Sequence, residues 1–249
     1  MIRIDRKIGN LSIQTIYFSD SDEEDLMAKH VDLVGFQQSV IPRNGLKAKK
    51  IIQIDLTRNE NDLFKQIGKS NRYKINRAMN KDALYYSFNQ RPAEDDIHEF
   101  RDFYNEFARN KNTAQCGRFH LQTLKLINDQ NGLVIAKVSD DNRQPLCYHV
   151  YAADGDRAMM LYSASHYRMS TETSQKNLIG RANRYLHWRN MIEFKKEGYK
   201  IYDFGEITND ENVNYFKRSF GGKEVTEYSG YHALTRLGKL VLLYKKMKG

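Results

Sequence analysis

Apolar and polar positions alternate over Ile2 to Ile8 and Leu11 to Phe18, a period of two that predicts two short strands. An acidic loop (Asp20 to Asp25), an irregular segment through Pro42 and Gly45, and a β-rich run from Lys50 to Leu56 follow. The spacing then becomes helical at Leu63, Phe64 and Ile67, and again past Gly68 at Ile75, Ala78 and Met79, with Lys74, Arg77 and Lys81 on one exposed face. From Ala83 the pattern predicts a strand to Asn89 and helices over Ala93 to Asn110 and Arg118 to Asn128. Three strands in hairpin-like succession come next: Leu133 to Ser139, Leu146 to Ala153 and Ala158 to Ser163, separated by Asp140-Asp-Asn-Arg143 and Asp154-Gly-Asp156. A long helix from Asn177 to Lys196, a strand Lys200 to Phe204, a helix through Asn214 to Arg218, a strand Glu224 to Tyr231 and a final helix from Leu234 complete the chain. The last helix sets Leu237, Leu240, Val241, Tyr244 and Met247 on one side, which suits packing on the core. The alternative is rest on an anionic bilayer.

Composition narrows the class. Of 249 residues, 40% are hydrophobic and 29% charged, with only three prolines, so the chain reads as folded and not disordered. The formal net charge of +9 draws anionic partners without choosing among phosphates, nucleic acid, acidic carriers and membranes. Cys116 and Cys147 make no disulfide framework, charged residues fill the first positions, and no uncharged run approaches the roughly 20 residues of a membrane span. The expectation is a cytoplasmic protein, at most peripheral to a membrane.

Three segments carry a resemblance. Leu178-Ile-Gly-Arg-Ala-Asn-Arg-Tyr-Leu-His-Trp leads through a long helix to Tyr202-Asp-Phe-Gly205, Tyr215-Phe-Lys-Arg-Ser-Phe-Gly-Gly222 follows, and Asn71-Arg-Tyr-Lys-Ile-Asn-Arg-Ala78 lies upstream. Together they resemble the FemAB-like branch of the GNAT acyltransferases, and the β-α-α-β-β-β-α-β-α-β order after residue 83 is the GNAT order. The resemblance implies an α/β fold with a mixed sheet that splays in its middle. A partial GNAT-like region is expected over 1–82 and the acyltransferase domain over 83–249. It also implies acyl or aminoacyl transfer to an amine of an envelope or polysaccharide precursor, small or lipid-linked. No cofactor is permanently bound; acyl-CoA, acyl carrier protein or aminoacyl-tRNA serves as co-substrate. Glu206 stands where many relatives have a second glycine, and the chain is short for a peptidoglycan-bridge enzyme.

Such a reaction needs a neutral amine, a polarised carbonyl and a proton for the leaving group. His149 and Tyr151 share a strand face with Cys147, which makes His149 a candidate base against the alternative of a buried structural histidine. Asp203 ends a strand and is read either as orienting a base, with Glu206 assisting, or as capping the turn. By the resemblance, Lys217 stabilises charge beside Phe216. Leu178-Ile-Gly180-Arg181-Ala182 opens the long helix as a partial donor-phosphate motif matched at Gly180 and Ala182, or simply as a closely packed helix start. Asn183, His187 and Asn190 form a polar line on that helix, with solvation as the alternative role. Tyr162, Ser163, Ser165 and Arg168 enter the preceding loop and can meet a phosphate, as can Arg72 and Arg77 on the basic helix. Cys116 and His120 lack a second ligand pair, so no metal site is expected. A second function class, a non-catalytic tRNA- or RNA-binding protein using the basic surface, stays open.

Overall fold

The computed structural model describes residues 1–20 and 30–248, so the acidic loop expected beyond Asp20 lies outside the described residues. In chain order the elements begin with β1 (Ile2–Ile8), β2 (Leu11–Tyr17), β3 (Leu33–Ser39), β4 (Leu46–Asp55), α1 (Glu60–Gln66), α2 (Lys69–Lys81) and β5 (Tyr85–Asn89). They continue with α3 (Glu94–Lys111), α4 (Arg118–Asp129), β6 (Leu133–Ser139), β7 (Pro145–Ala153), β8 (Arg157–Ser165) and α5 (Thr173–Lys196). The last are β9 (Ile201–Glu206), α6 (Glu211–Arg218), β10 (Lys223–Ala233) and α7 (Arg236–Lys248). The chain divides into two compact units, one of residues 1–51 with 224–249 and one of residues 52–223, and β4 crosses from the first to the second. The boundary expected near residue 82 falls inside the second unit, between α2 and β5.

In the first unit β1 and β2 form an antiparallel hairpin, β2 runs parallel to β3, and β3 pairs antiparallel with β10. Ile16, Val31, Val34 and Phe36 make its core, with Leu46 and Leu234 against them. β3 occupies the segment expected to be irregular. Its sequence Leu33-Val-Gly-Phe-Gln-Gln-Ser39 is buried almost throughout, so the two-residue alternation that marks a half-exposed strand is missing. In α7, Gly238 approaches Asp32 so closely that a Cβ would stand 2.2 Å from its carbonyl oxygen. Val241 and Leu242 are half-buried, whereas Leu237, Leu240 and Met247 are exposed. The stripe expected to pack on the core is therefore divided, and only Val241 of it is half-buried.

In the second unit β5, β6, β7 and β8 pair antiparallel in succession, and β8 then pairs parallel with β9. Alternation along β7 decides the layers. Tyr148 faces Phe100 and Phe103 of α3, while His149 and Tyr151 face Asn183 and Asn190 of α5. Helix α5 is buried along most of its length, from Ile179 through Phe194, since the sheet, α2 and the turn after α6 all meet it. Its inner half joins Ile52, Ile54, Leu63, Ile75, Tyr202, Phe204 and Phe220 in one core. Each fully buried large side chain there contributes roughly 1.5 to 3 kcal/mol.

Candidate active site

The pairing of β8 with β9 is short. It runs from Arg157↔Ile201 to Met159↔Asp203 and stops, although β8 continues to Ser165 and β9 to Glu206. The register of β8 against β7 shifts at the same level, between Tyr151↔Met160 and Val150↔Tyr162. A bulge bends a strand locally. Here it sets the point where the two parallel strands part, and residues 160–163 of β8 become accessible there while Arg157–Met159 are buried. This is the splayed centre expected from the resemblance.

Behind the opening lies a buried polar network. Asn190 Nδ2 donates to Tyr151 Oη at 2.8 Å and to His149 Nδ1 at 3.2 Å, and Tyr86 Oη donates to Asn190 Oδ1. With Nδ1 accepting, the proton of His149 sits on Nε2 and is donated to Asn183 Oδ1 at 3.0 Å. Tyr151 Oη shares a hydrogen bond with Tyr202 Oη, and Tyr202 Oη with His187 Nδ1, each at 2.8 Å. The rings of His149 and His187 lie 4.1 Å apart, and Phe204, Phe216 and Phe220 surround His187. Burial pushes His149 down to about 3, opposed by its bond to Asn183. Burial also holds His187 well below the ordinary histidine range, helped by the nearby His149, Arg184 and Lys217.

In front of this network stands a charged rim. Arg184 donates through Nε to Asn71 Oδ1 at 2.8 Å, and Asn71 Nδ2 donates to Ser219 Oγ at 2.6 Å. Ser219 Oγ in turn donates to the carbonyl of Phe216, and the Arg184 guanidinium lies over the Phe216 ring. The three segments that carry the resemblance thus meet at one place: α2 through Asn71, α5 through Arg184, and the α6 turn through Phe216 and Ser219. Lys217 Nζ donates to the carbonyl of Glu206 at 2.7 Å. Burial lowers Lys217, while Asp203 and Glu206 raise it. Arg184 in turn lowers Lys74, with burial adding to it. Lys74, Arg184 and Lys217 give this side of the opening a positive field suited to an anionic group.

The remaining expected residues divide clearly. Asp203 is buried, with Oδ1 accepting from Gly205 N at 2.6 Å, Oδ2 accepting from Gln53, and Arg157 at 4.0 Å. Its geometry is that of a turn-capping carboxylate. Gly205 has φ +76, and only ordinary contact surrounds a Cβ there, so the glycine answers to the backbone. Gly205→Ala is expected to cost about 1 to 2 kcal/mol, read as a lowered urea midpoint. An unchanged midpoint would remove the strain argument. Glu206 is exposed beside Lys217. Ser163 and Ser165 pair with His149 and Cys147 and share their face of the sheet, whereas Tyr162 points to the other side against Phe100 and Tyr104. Arg168 is exposed in a 3-10 turn.

Helix α5 begins at Thr173, five residues before the expected motif, so Gly180 lies inside the helix and its N–H belongs to the helical ladder. Gly180 is therefore not at a free helix end for a phosphate. Arg181 is engaged with both carboxylate oxygens of Asp82. Arg72 donates to the Lys65 carbonyl, and Arg77 is exposed on α2. The expected base, His149, has no solvent exposure and both nitrogens engaged. The polar line on α5 is buried at His187 and Asn190, not solvated. Arg184 and Asn71 escaped the residue-by-residue reading; the signal was that Arg184 precedes His187 by three and shares its helix face.

A cavity of about 1030 Å³ opens between α3, β7 and the start of α5, lined by Glu99, Asp102, Glu106, Asp140 and Glu172 with Arg109. It is on the Tyr148 side of β7, away from the network, and its acidic wall repels a phosphate-bearing donor. Among the described residues, no group of three or more His, Cys, Asp and Glu is placed to hold a metal, and no helix is long and apolar enough to cross a membrane.

No family model matches the sequence, and no curated protein matches it. Solved structures do. FemX superposes with a TM-score of 0.66 at 10% identity, covering 91% of this chain and 83% of FemX. The C-terminal domain of a putative lysylphosphatidylglycerol synthetase from Agrobacterium fabrum follows at 0.60 and 15%, covering 98% and 84%. L-PGS from Bacillus licheniformis gives 0.54 at 15% identity, covering 98% and 85%. Strands β8 and β9 part within a fold shared with these three: the chain has a mixed α/β, GNAT-like fold.

Proposed function

We propose that the protein transfers an acyl or aminoacyl group to an amine of an envelope or polysaccharide precursor, without a covalent enzyme intermediate. The observation that carries this reading is the meeting of Asn71, Arg184, Phe216, Lys217 and Ser219 at the open edge between β8 and β9. In the proposed reaction the amine nitrogen attacks the acyl carbon and a new N–C bond forms. The donor's C–O or C–S bond breaks, and the proton shed by the amine reaches the leaving oxygen or sulfur. Lys217 stabilises the charge that develops on the acyl oxygen. Glu206, exposed next to it, is suited to carry the amine's proton.

His187, buried among Phe204, Phe216 and Phe220, backs the turn that carries Lys217. His149, Asn183, Tyr151 and Asn190 position it through Tyr202, and Asp203 holds the turn that presents Glu206. Arg184 and Lys74 bind the donor's phosphate groups, with Ser163, Ser165, Arg168, Arg72 and Arg77 farther along the same proposed path. An aminoacyl-tRNA donor accords with the positive rim, and acyl-CoA and acyl carrier protein carry phosphate as well. The acceptor is a small or lipid-linked amine, which accords with peripheral placement at a membrane.

The test offers the purified protein each donor class with an amine acceptor and follows label transfer. Transfer from one class is expected, with loss of donor binding in Arg184→Gln. RNA binding that weakens steeply with salt, without transfer from any donor, would replace this reading by the non-catalytic RNA-binding one.

A further inference from the structure

Helix α7 has two apolar faces. One turns inward: Gly238 sits against Asp32, Val241 and Leu242 are half-buried, and Lys245 Nζ lies over the Tyr231 ring at 4.6 Å. The other turns outward. Leu237 is 41% exposed, Leu240 64%, Leu243 57% and Met247 78%. At 100° per residue these four fall within one arc of the helix, so they form a continuous apolar ridge and not scattered surface residues. The charges that α7 itself carries have one sign. Arg236, Lys239, Lys245, Lys246 and Lys248 all lie in α7, and no aspartate or glutamate follows Glu227.

We infer that this ridge docks on an anionic lipid surface. The helix lies in the plane of the bilayer, with Leu240, Leu243 and Met247 inserted among the acyl chains and Lys239 and Lys246 at the headgroups. An apolar ridge on a helix whose own charges are all cationic suits a surface that is apolar beneath and negative at its edge. A neutral protein groove would cover the leucines and leave the lysines uncompensated.

The inference stands apart from the proposed chemistry, because vesicle binding is read without donor or acceptor. The intact protein is floated with vesicles of phosphatidylcholine alone and of phosphatidylcholine mixed with phosphatidylglycerol. Binding is expected to the mixed vesicles only and to weaken with added salt. Leu240→Glu with Leu243→Glu should lower the apparent affinity at least about tenfold, because both apolar side chains leave the acyl region. The melting temperature should stay put, since neither side chain is in the core. Lys239→Gln with Lys246→Gln should remove the preference for phosphatidylglycerol. Unchanged binding in the leucine variant overturns the inference. So does absence of binding to both vesicles, whether or not the protein pairs through α7 with a second copy or an acidic protein.

Discussion

If the proposed transfer is right, replacing Lys217 by methionine is expected to lower it by about a hundredfold or more while the protein stays folded. Methionine retains the apolar stem and removes the ammonium, which donates to the Glu206 carbonyl. That carbonyl lies at the exposed end of β9 and can bond to water instead, so little stability is lost. In the proposed reaction the ammonium matters through when it acts. A preorganised cation in a partly desolvated opening is worth far more to a developing oxyanion than to a neutral carbonyl, and loss of one such donor costs about 2.7 to 4 kcal/mol. The loss should accordingly fall on kcat, with KM little changed. Arginine at the position keeps the charge but spreads it over a longer, planar fork, so rescue should be partial. A full rate in Lys217→Met, with label transfer measured at saturating donor, would remove Lys217 from the chemistry. The same variant should bind donor normally, which separates its role from that assigned to Arg184.

How the site could be read from sequence follows from where its bonds run. The Phe216-Lys217 turn, the Tyr202-to-Gly205 strand end and the Asn71 helix are local patterns, and each shows in the order of residues. Their meeting is not local: Arg184 reaches Asn71 across 113 positions and Asn71 reaches Ser219 across 148. No spacing rule links residues so far apart. Burial misled in the same way. On a helical wheel His187 and Asn190 look like a wet polar line, yet α5 is enclosed on that side as well, and hydrogen bonding to Tyr151 and Tyr202 satisfies them. His149 shows in the sequence as a polar residue on an apolar strand, whereas its enclosure and its bonds to Asn183 and Asn190 come from a helix more than thirty positions away. In the first unit β3 escaped for a simpler reason: buried strands lose the alternation that reveals half-exposed ones.

The enclosed histidines also set how the protein meets acid. His149 is neutral when folded, with its proton affinity pushed down to about 3 by burial, against roughly 6.5 in an open chain. A depressed value means that the unfolded chain takes up a proton which the folded one refuses. Stability from this group is therefore complete above about pH 6.5 and is lost as pH falls toward 3. At pH 4.5 the unfolded chain is protonated at this residue while the folded one is not, a loss on the order of a few kcal/mol. His187, buried beside it and lowered further by His149, Arg184 and Lys217, acts in the same direction. Against a usual total of roughly 5 to 15 kcal/mol, such a loss is large. Urea midpoints should thus drop steeply between pH 6.5 and 4.5, before most carboxylates titrate. His149→Gln, whose amide can bond within the same network, should start from a lower midpoint at neutral pH yet show a shallower slope on acidification. An unaltered slope in that variant would mean that the acid sensitivity comes from elsewhere and that His149 is less enclosed than its bonds to Asn183 and Asn190 require.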